Sequence, residues 1–432
     1  MFKMRGIDMF NEDGYLFNNN KENHYISDDD INRLISFFDT KEKAWQEDIN
    51  SKARSRYFDD FILDEMLLLN TKGTIVKYPF GKRALTFTSS RHFFRGENQI
   101  YPYSLPSLDR TIMDKNDQEK ELYHALSCLR IERFTNFLWE FNSIPFWCTK
   151  SDINYKALAQ HYGFKTHLMD LTNDFKVALF FATSKYDSSK DAYVPLTDED
   201  ISKDYKYGVI YHTPNYTINY PFGMAMSDLF FKYGLLDREY EIDSGVFDGV
   251  AFQIGYQPFL RCEMQNGYVM SLRNGRPLNE NSYFEKLYFK QSSKLSKKVY
   301  DMMDKGKKVF PNEGINKAKK WLDEIKKTFK FTTADLDRVY DVDINKDIFK
   351  SKDEFKKELL SFSFDDNKIK LVDCINYDIP NHIKNTINES VNADKLFAKI
   401  DNNIFYKSDD LKHFNDMHNI LYGDKKESNY EE

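Results

Sequence analysis

Four side chains able to bind ligands or exchange protons stand in the middle of this 432-residue chain, each inside a short motif. Arg95 lies in HFFRGE, His161 in QHYG, Asp170 in HLMDLT and Gln265 in RCEMQNGY. A guanidinium forms charge-assisted, often paired hydrogen bonds, and an imidazole titrates close to neutral pH. A carboxylate can stabilise positive charge, whereas an amide can hold a hydroxyl group but cannot neutralise charge. We predict that these four side chains, far apart in sequence, meet in one pocket.

Each of the four residues also has a structural interpretation. Arg95 could form an ion pair with Asp170 or Asp109 that fixes the loop after its strand. His161 could satisfy a carbonyl group at the end of a helix. Asp170 could cap the turn before a helix, and Gln265 is open to either kind of role. The sequence favours a functional role for Arg95 and a structural role for Asp170.

The elements that must position these residues lie between residues 84 and 276, where Gly, Pro and aromatic residues punctuate short apolar runs. HFFRGE predicts a short strand with Arg95 at its end, and Gly163 predicts the end of the helix that carries His161. A Thr or Asn after Asp170 is expected to cap the next helix. Apolar spacings of three and four residues predict helices, and aromatic or β-branched runs after glycines predict strands. The predicted helices span residues 118–141, 154–162 and 174–186, and the predicted strands span residues 92–97, 208–212, 249–256 and 267–272.

Two flanking regions complete the chain. Residues 1–83 are predicted to form an N-terminal accessory region. Residues 277–432 are rich in Lys and Glu and are predicted to form a mainly helical C-terminal region. The predicted elements in the flanks are helices at residues 29–38, 315–329 and 352–362 and a strand at residues 74–80. The fold class is therefore predicted to be α+β, with a central mixed domain of short strands packed on helices.

Charge and cysteine content argue against several classes of function. The 62 basic and 68 acidic residues are interspersed and give a formal charge of −6, so nothing indicates a specific nucleic-acid partner. The four cysteines lack a CxxC or metal-ligand spacing, so neither a disulfide framework nor a bound metal is expected. The absence of a signal peptide or bilayer-length apolar stretch predicts a cytoplasmic protein without membrane contact. Walker A, Rossmann, HExxH and GxSxG motifs are also absent.

Several motifs, taken in order, resemble a known family. FRGE, the YPYSLPSLDR loop and ALAQHYGFKTHLMDLTNDFKVALFFA at residues 157–182 are together similar to the bacterial FRG domain, and RCEMQNGY at residues 261–268 resembles the element near that domain's end. The domain is therefore expected over residues 84–276. His167 stands where the family usually has arginine, and Lys165 stands where proline is usual; a flexible ammonium does not reproduce the planar fork of a guanidinium. Members of the family occur in bacterial proteins linked to phage defence and mobile elements.

The strand carrying an aromatic residue, Arg and Gly is also similar to the first nucleotide-binding strand of Arg-type ADP-ribosyltransferases. This likeness implies a nucleotide or other phosphorylated small molecule as ligand, with NAD as the expected substrate and its pyrophosphate bound by Arg95. Loss of nicotinamide gives the ribose oxocarbenium character, which a nearby acceptor such as Glu97 or Glu263 would have to stabilise. The candidate substrate-binding residues are Arg95, Asp170, His167 and Arg261, and the candidate catalytic residues are His161, Gln265 and Glu97.

Two classes of function follow from this resemblance. The first is an enzyme that cleaves NAD or transfers ADP-ribose in a bacterial defence or toxin context. The second is a non-catalytic ligand-sensing or protein-interaction module, in which the pocket binds a ligand and the flanks recruit a protein partner. The missing arginine at position 167 and the amide of Gln265 favour this alternative.

Overall fold

The computed structural model describes the central part of the chain in greatest detail. The described residues are 24–53, 67–69, 73–77, 83–86, 91–148, 153–214, 249, 251–272 and 276–391. No helix among these residues is both long and apolar enough to cross a bilayer.

Fourteen strands and thirteen α-helices are present in the described residues. The strands are β1 (His24–Ile26), β2 (Leu67–Leu69), β3 (Gly73–Lys77), β4 (Arg83–Thr86), β5 (His92–Glu97), β6 (Leu168–Thr172), β7 (Ser184–Asp187), β8 (Ala192–Pro195), β9 (Tyr207–Pro214), β10 (Ala251–Gln253), β11 (Gly267–Ser271), β12 (Glu285–Lys290), β13 (Lys330–Phe331) and β14 (Lys370–Leu371). The helices are α1 (Asp28–Ala53), α2 (Asp109–Ile112), α3 (Asp117–Leu138), α4 (Ser143–Cys148), α5 (Tyr155–His161), α6 (Phe175–Thr183), α7 (Asp198–Lys203), α8 (Arg261–Met264), α9 (Ser293–Met302), α10 (Lys319–Lys327), α11 (Thr333–Asp343), α12 (Lys352–Ser361) and α13 (Asn381–Ser390). Short 3-10 turns at Leu278–Glu280 and Gly314–Ala318 complete the set.

A seven-stranded sheet organises the protein, with strand order β1-β12-β9-β5-β6-β11-β10. Its neighbours are antiparallel except for the parallel pair of β1 and β12. This mixture of a mainly antiparallel sheet with separate helices confirms the α+β class. β1 and β12 lie outside residues 84–276, so the sheet takes strands from both flanking regions.

The two sides of β5 are paired very differently. β5 pairs with β9 along six residues, from His92 opposite Pro214 to Glu97 opposite Val209. With β6 it shares one pair, Phe94 opposite Thr172. The two strands therefore diverge beyond Phe94, and the sheet has an opening beside Arg95.

Alternation of side chains along the strands builds a separate core on each face of the sheet. Phe94 and Ile210 pack with α6, whose buried side chains include Phe180. Phe93 and Tyr211 point to the opposite face and pack beneath the 3-10 turn that begins at Leu278. A third core joins α3 and α5 to β11, and a fourth joins α3 to the C-terminal helices α11 and α12. The sheet is covered on both faces.

Most predicted elements are confirmed, with shifted ends. The strand at residues 92–97 and the helices carrying residues 118–138 and 155–161 are present. The predicted C-terminal helix at residues 315–329 is a 3-10 turn followed by α10, and α12 ends one residue earlier than predicted. The predicted strand at residues 74–80 is described only as far as Lys77. Its last three residues lie outside the described part of the chain.

Three local predictions were wrong. Arg95 is the fourth of six residues in β5 and does not end it, because β9 offers a partner up to Glu97. Residues 184–186 are not helical: the backbone at Ser184 is extended, and this segment pairs with β8 in a hairpin. The strand predicted from residue 249 to residue 256 ends at Gln253, and Gly255 follows with a positive φ of 71°.

Asp170 is also not a helix cap. It lies inside β6, opposite Val269 of β11. The residue that caps α6 is Asp174, whose side chain accepts a hydrogen bond from the Lys176 amide. The predicted cap by Thr172 or Asn173 is therefore wrong, and the Asp170 carboxylate is not used as a cap either.

Gly96 allows α6 to pack directly on β5. A Cβ added at this position would lie 1.7 Å from the carbonyl oxygen of Ala178, a backbone atom that cannot rotate away. We therefore expect Gly96→Ala to lower the free energy of unfolding by about 3 kcal/mol, at the upper end of ordinary overpacking.

Gly249→Ala is the control for this substitution. Gly249 has a φ of +81°, and no heavy atom of the described residues lies within 4 Å of an added Cβ. Gly249→Ala should therefore lower the free energy of unfolding by about 1 kcal/mol, through backbone strain without a steric clash. Urea unfolding of both variants separates the two effects, and equal losses would contradict the close approach of α6.

Candidate functional site

Arg95 bridges the opening between β5 and β6. Its Nε donates to Glu97 Oε1 at 2.9 Å, and its Nη1 donates to the main-chain carbonyl of Asp170 at 2.9 Å. Arg95 and Glu97 are two residues apart on one strand and therefore share a face. Because β5 and β6 diverge here, no main-chain N–H of β5 pairs with the carbonyl of Asp170 among the described residues. Arg95 thus supplies the donor that the missing β5–β6 pairing would have supplied.

Glu97 is held as the partner of Arg95. Its carboxylate is buried and also accepts a hydrogen bond from Ser104 Oγ at 2.7 Å. Burial opposes the charged form of Arg95, but the nearby carboxylates of Glu97 and Asp170 outweigh it and raise the pKa of Arg95. The guanidinium is therefore always charged, and Glu97 compensates that charge. Oε1 of this candidate catalytic carboxylate is therefore occupied in fixing a cation, while its Oε2 is buried and accepts no hydrogen bond within the described residues.

Asp170 presents the more accessible carboxylate of this cluster. Its side chain is 42% exposed, compared with 5% for Glu97. Oδ1 is nevertheless buried, accepts no hydrogen bond within the described residues, and lies 3.9 Å from His161 Nε2. Asp170 therefore has one oxygen beside an imidazole and enough exposure to meet a ligand.

His161 occupies the last turn of α5 with only 3% of its side chain exposed. Burial lowers the pKa of His161, and the charge of Arg261 adds to this effect. The Asp170 carboxylate and a contact with Gln265 oppose the shift without reversing it. His161 is accordingly neutral at pH 7 and can accept a proton.

Gln265 and Arg261 are fixed from the side of α8. Gln265 Nε2 donates to the main-chain carbonyl of Val309 at 2.9 Å, and the main-chain carbonyl of Gln265 accepts from Thr172 Oγ1 at 2.7 Å. Arg261 Nη1 donates to the His161 carbonyl at 3.0 Å. Gln265 thus joins β6 to the loop before α10, and Arg261 anchors the end of α5.

The guanidinium of Arg261 is enclosed by aromatic rings. It lies 3.8 Å from the Phe310 ring centroid and 4.4 Å from that of Tyr162. Its Nε is 3.7 Å from Glu313, whose carboxylate also accepts from the Tyr162 hydroxyl. The side chain of Arg261 is only 7% exposed, and its contacts fix the end of the His161 helix and the rings of Tyr162 and Phe310.

His167 is not part of this cluster. Its Nδ1 lies 2.7 Å from Asp109 Oδ1, and its ring centroid lies 4.8 Å from that of His124 on α3. It lines a cavity of about 60 Å³ whose lining includes Leu168 but not Arg95. The structure therefore brings together Arg95, Glu97, Asp170, His161 and Gln265, with Arg261 behind them, and places His167 elsewhere. We call the five-residue group the Arg95–Asp170 corner.

Two aromatic residues beside the corner were not predicted. Tyr193 of β8 and Phe310 are partly buried, with ring centroids 5.7 Å apart. Burial, with the nearby charge of Asp170, raises the pKa of Tyr193 to about 12. In a chain with 28 Tyr and 37 Phe, no sequence signal separates these two from ordinary core aromatics.

Comparison with known families supports the sequence resemblance. Residues 90–191 match the FRG domain family. The chain therefore contains an FRG domain, and four members of the corner lie within the match: Arg95, Glu97, His161 and Asp170. Gln265 and Arg261 lie outside it. Searches of curated proteins and of solved structures returned no match.

The pairing of Arg95 with Glu97 can be tested by stability. Arg95→Met leaves a buried carboxylate without its cation, so we expect a loss of about 2 to 4 kcal/mol in the free energy of unfolding. The double variant Arg95→Met/Glu97→Gln should recover part of that loss because no buried charge remains. Urea unfolding of the two single variants and the double variant gives the coupling, and additive losses would rule it out.

His161 predicts a pH dependence of stability. Because its pKa is lower in the folded than in the unfolded protein, the unfolded chain binds more protons below about pH 6.5, and stability falls as the pH falls. The loss is at most about 1.4 kcal/mol per pH unit for one histidine. His161→Asn should reduce the change in the free energy of unfolding between pH 7.5 and 5.5, measured with urea. His382→Asn, which alters an exposed histidine, is the control and should leave that change as it is in the wild-type protein.

Proposed function

We propose that the Arg95–Asp170 corner binds a nucleotide, NAD, and cleaves its bond between nicotinamide and ribose. The observation that carries this proposal is the Asp170 carboxylate, 42% exposed and 3.9 Å from a buried imidazole. Glu97 is paired with Arg95, and Glu313 is paired with Arg261 and Tyr162. Asp170 is thus the carboxylate in this cluster with capacity to meet developing positive charge.

The reaction assigns a separate task to each residue. When the C1′–N bond breaks, nicotinamide leaves with the electron pair and the ribose gains oxocarbenium character. Asp170 stabilises that charge, as carboxylates do in glycoside hydrolysis. Water, or a nucleophile on an acceptor, then adds to C1′ and loses a proton, which neutral His161 can take. The acceptor decides between NAD hydrolysis and ADP-ribosyl transfer.

Arg95 supplies the contact to the phosphates in this proposal. Within the described residues, Glu97 and the Asp170 carbonyl use two of its five N–H groups, so three can serve a ligand. The side chain is 20% exposed, so part of it reaches the solvent. Gln265, held by Val309, is assigned a ribose hydroxyl. His167 takes no part because it faces the separate cavity.

A cytoplasmic bacterial defence or toxin role is the setting we propose for this activity. It rests on the family resemblance of residues 90–191 and not on the geometry of the corner. In that setting the flanking regions would contact a protein partner.

The second candidate is a ligand-sensing module without catalysis. The observation that favours it is the charge of the site: the guanidiniums of Arg95 and Arg261 face three carboxylates, those of Glu97, Asp170 and Glu313. A surplus of carboxylates weakens the binding of a pyrophosphate dianion. Binding of a less charged nucleotide, held but not cleaved, suits this arrangement.

Asp170→Asn separates the two candidates because it removes the charge while keeping the shape. We expect Asp170→Asn to lower the rate of nicotinamide release from NAD, measured by chromatography, about a hundredfold or more. Asp114→Asn is the matched control, since Asp114 is an exposed aspartate of the same domain. If NAD raises the melting temperature of the wild-type protein but no nicotinamide is released, the sensor is favoured. If NAD causes no stabilisation and no nicotinamide is released, both candidates are wrong for NAD.

A further inference from the structure

A second group of reactive side chains lies on α3, away from the Arg95–Asp170 corner. Cys128 Sγ is 3.2 Å from His124 Nε2, and His124 Nδ1 is 3.7 Å from Glu121 Oε1. Positions 121, 124 and 128 are three and four residues apart, so they follow one face of the helix. A thiol, an imidazole and a carboxylate are thus aligned in the order that activates a cysteine nucleophile.

The carboxylate at the end of this alignment is fixed. Glu121 is buried, and its Oε1 accepts a hydrogen bond from the Asn345 amide at 2.7 Å. His124 is also buried, and the ring of His167, itself bonded to Asp109, lies beside it. The His124 ring therefore lies between the Glu121 carboxylate, at an ion-pair distance of 3.7 Å, and the ring of His167.

The cavity of about 60 Å³ opens onto this group. Cys128 and His124 both line it, together with the apolar side chains of Leu108, Ile131 and Phe252. Partly exposed Asn154 and Lys156 line it as well, so the cavity extends to the protein surface. It has room for about four to six water-sized groups. A small molecule of a few heavy atoms fits, and a nucleotide does not.

We propose that Cys128 is a nucleophile for small, uncharged carbon electrophiles that enter this cavity, with His124 as its base. Cys128 Sγ supplies the electron pair of a new S–C bond, and the thiol proton passes to His124 Nε2. With an alkyl or acyl electrophile, the leaving group departs with the electrons of the bond that breaks. The apolar lining selects uncharged reagents, and the cavity size excludes bulky ones.

Among the described residues, no hydrogen bond joins Cys262 or Cys374 to a histidine, whereas Cys128, 5% exposed, contacts His124 and lines the cavity. Cys262 is fully buried and Cys374 is exposed. Cys148 contacts the Tyr155 hydroxyl at 3.9 Å. Burial raises the pKa of the Cys128 thiol, so proton transfer to His124 must accompany attack at neutral pH. Reactivity of Cys128 should therefore depend on His124 to a degree that simple exposure cannot explain.

The test is alkylation of the folded full-length protein by iodoacetamide, with each cysteine followed by peptide mass mapping. We expect Cys128 to be alkylated much faster than Cys262. His124→Gln should lower the alkylation rate of Cys128 at least tenfold, which is less than a general base usually contributes. Glu121→Gln should slow it to a smaller extent. Labelling of Cys374 should be unchanged in every variant, since it lies outside the cavity.

Two further readings guard against unfolding as the cause. Labelling of the buried Cys262 in the same sample reports unfolding of the whole protein. If Cys262 becomes labelled in His124→Gln, Glu121→Gln is compared with the wild-type protein instead. A polyethylene glycol maleimide should label Cys374 and spare Cys128 because it exceeds the cavity. The proposal is overturned if Cys128 reacts no faster than Cys262, or if its rate is the same with and without His124.

Discussion

The guanidinium of Arg95 is the constraint on which the centre of this protein depends. The strands β5 and β6 share one residue pair and then separate, which leaves the Asp170 carbonyl without a strand partner. Arg95 donates to that carbonyl, and Glu97 holds Arg95 in place. An ion pair therefore replaces part of a strand ladder. Because its partners are a main-chain oxygen and a buried carboxylate, the arrangement fixes the position of Asp170 as well as that of Arg95.

The position of Asp170 explains why a structural cation and a candidate reactive carboxylate coexist. Its main chain is held by Arg95 and by β11, while its side chain points towards His161. The end of α5 is fixed in turn by Arg261, whose guanidinium is enclosed by two aromatic rings. Asp170 and His161, which we propose to act on a ligand, are therefore held by Arg95 and Arg261, and Glu97 holds Arg95 in turn. Rigid support of this kind suits a binding site or an active site.

The local patterns in the sequence were enough to predict helices and strands around the site, but not their pairing. HFFRGE predicted β5, and Gly163 marked the end of the helix that carries His161. Nothing local shows that β5 and β6 diverge, since the register of Phe94 with Thr172 depends on distant chain segments. For the same reason the sequence predicted Asp170 or Asp109 as the ion-pair partner of Arg95, whereas the side chain that accepts from its Nε is Glu97. Which carboxylate faces the guanidinium depends on the side of the sheet that each one occupies, and that is set by register.

Position 167 is where the chain departs from the family pattern near the site. The histidine that replaces the usual arginine lies one residue before β6, bonded to Asp109, and lines the cavity beside α3. Its replacement therefore removes no cation from the Arg95–Asp170 corner. An arginine at this place would bring a larger, permanently charged group next to His124 and Cys128, whereas an imidazole can be neutral. The departure from the family pattern thus concerns the cavity, and the corner keeps Arg95 as the cation that we propose to contact the ligand.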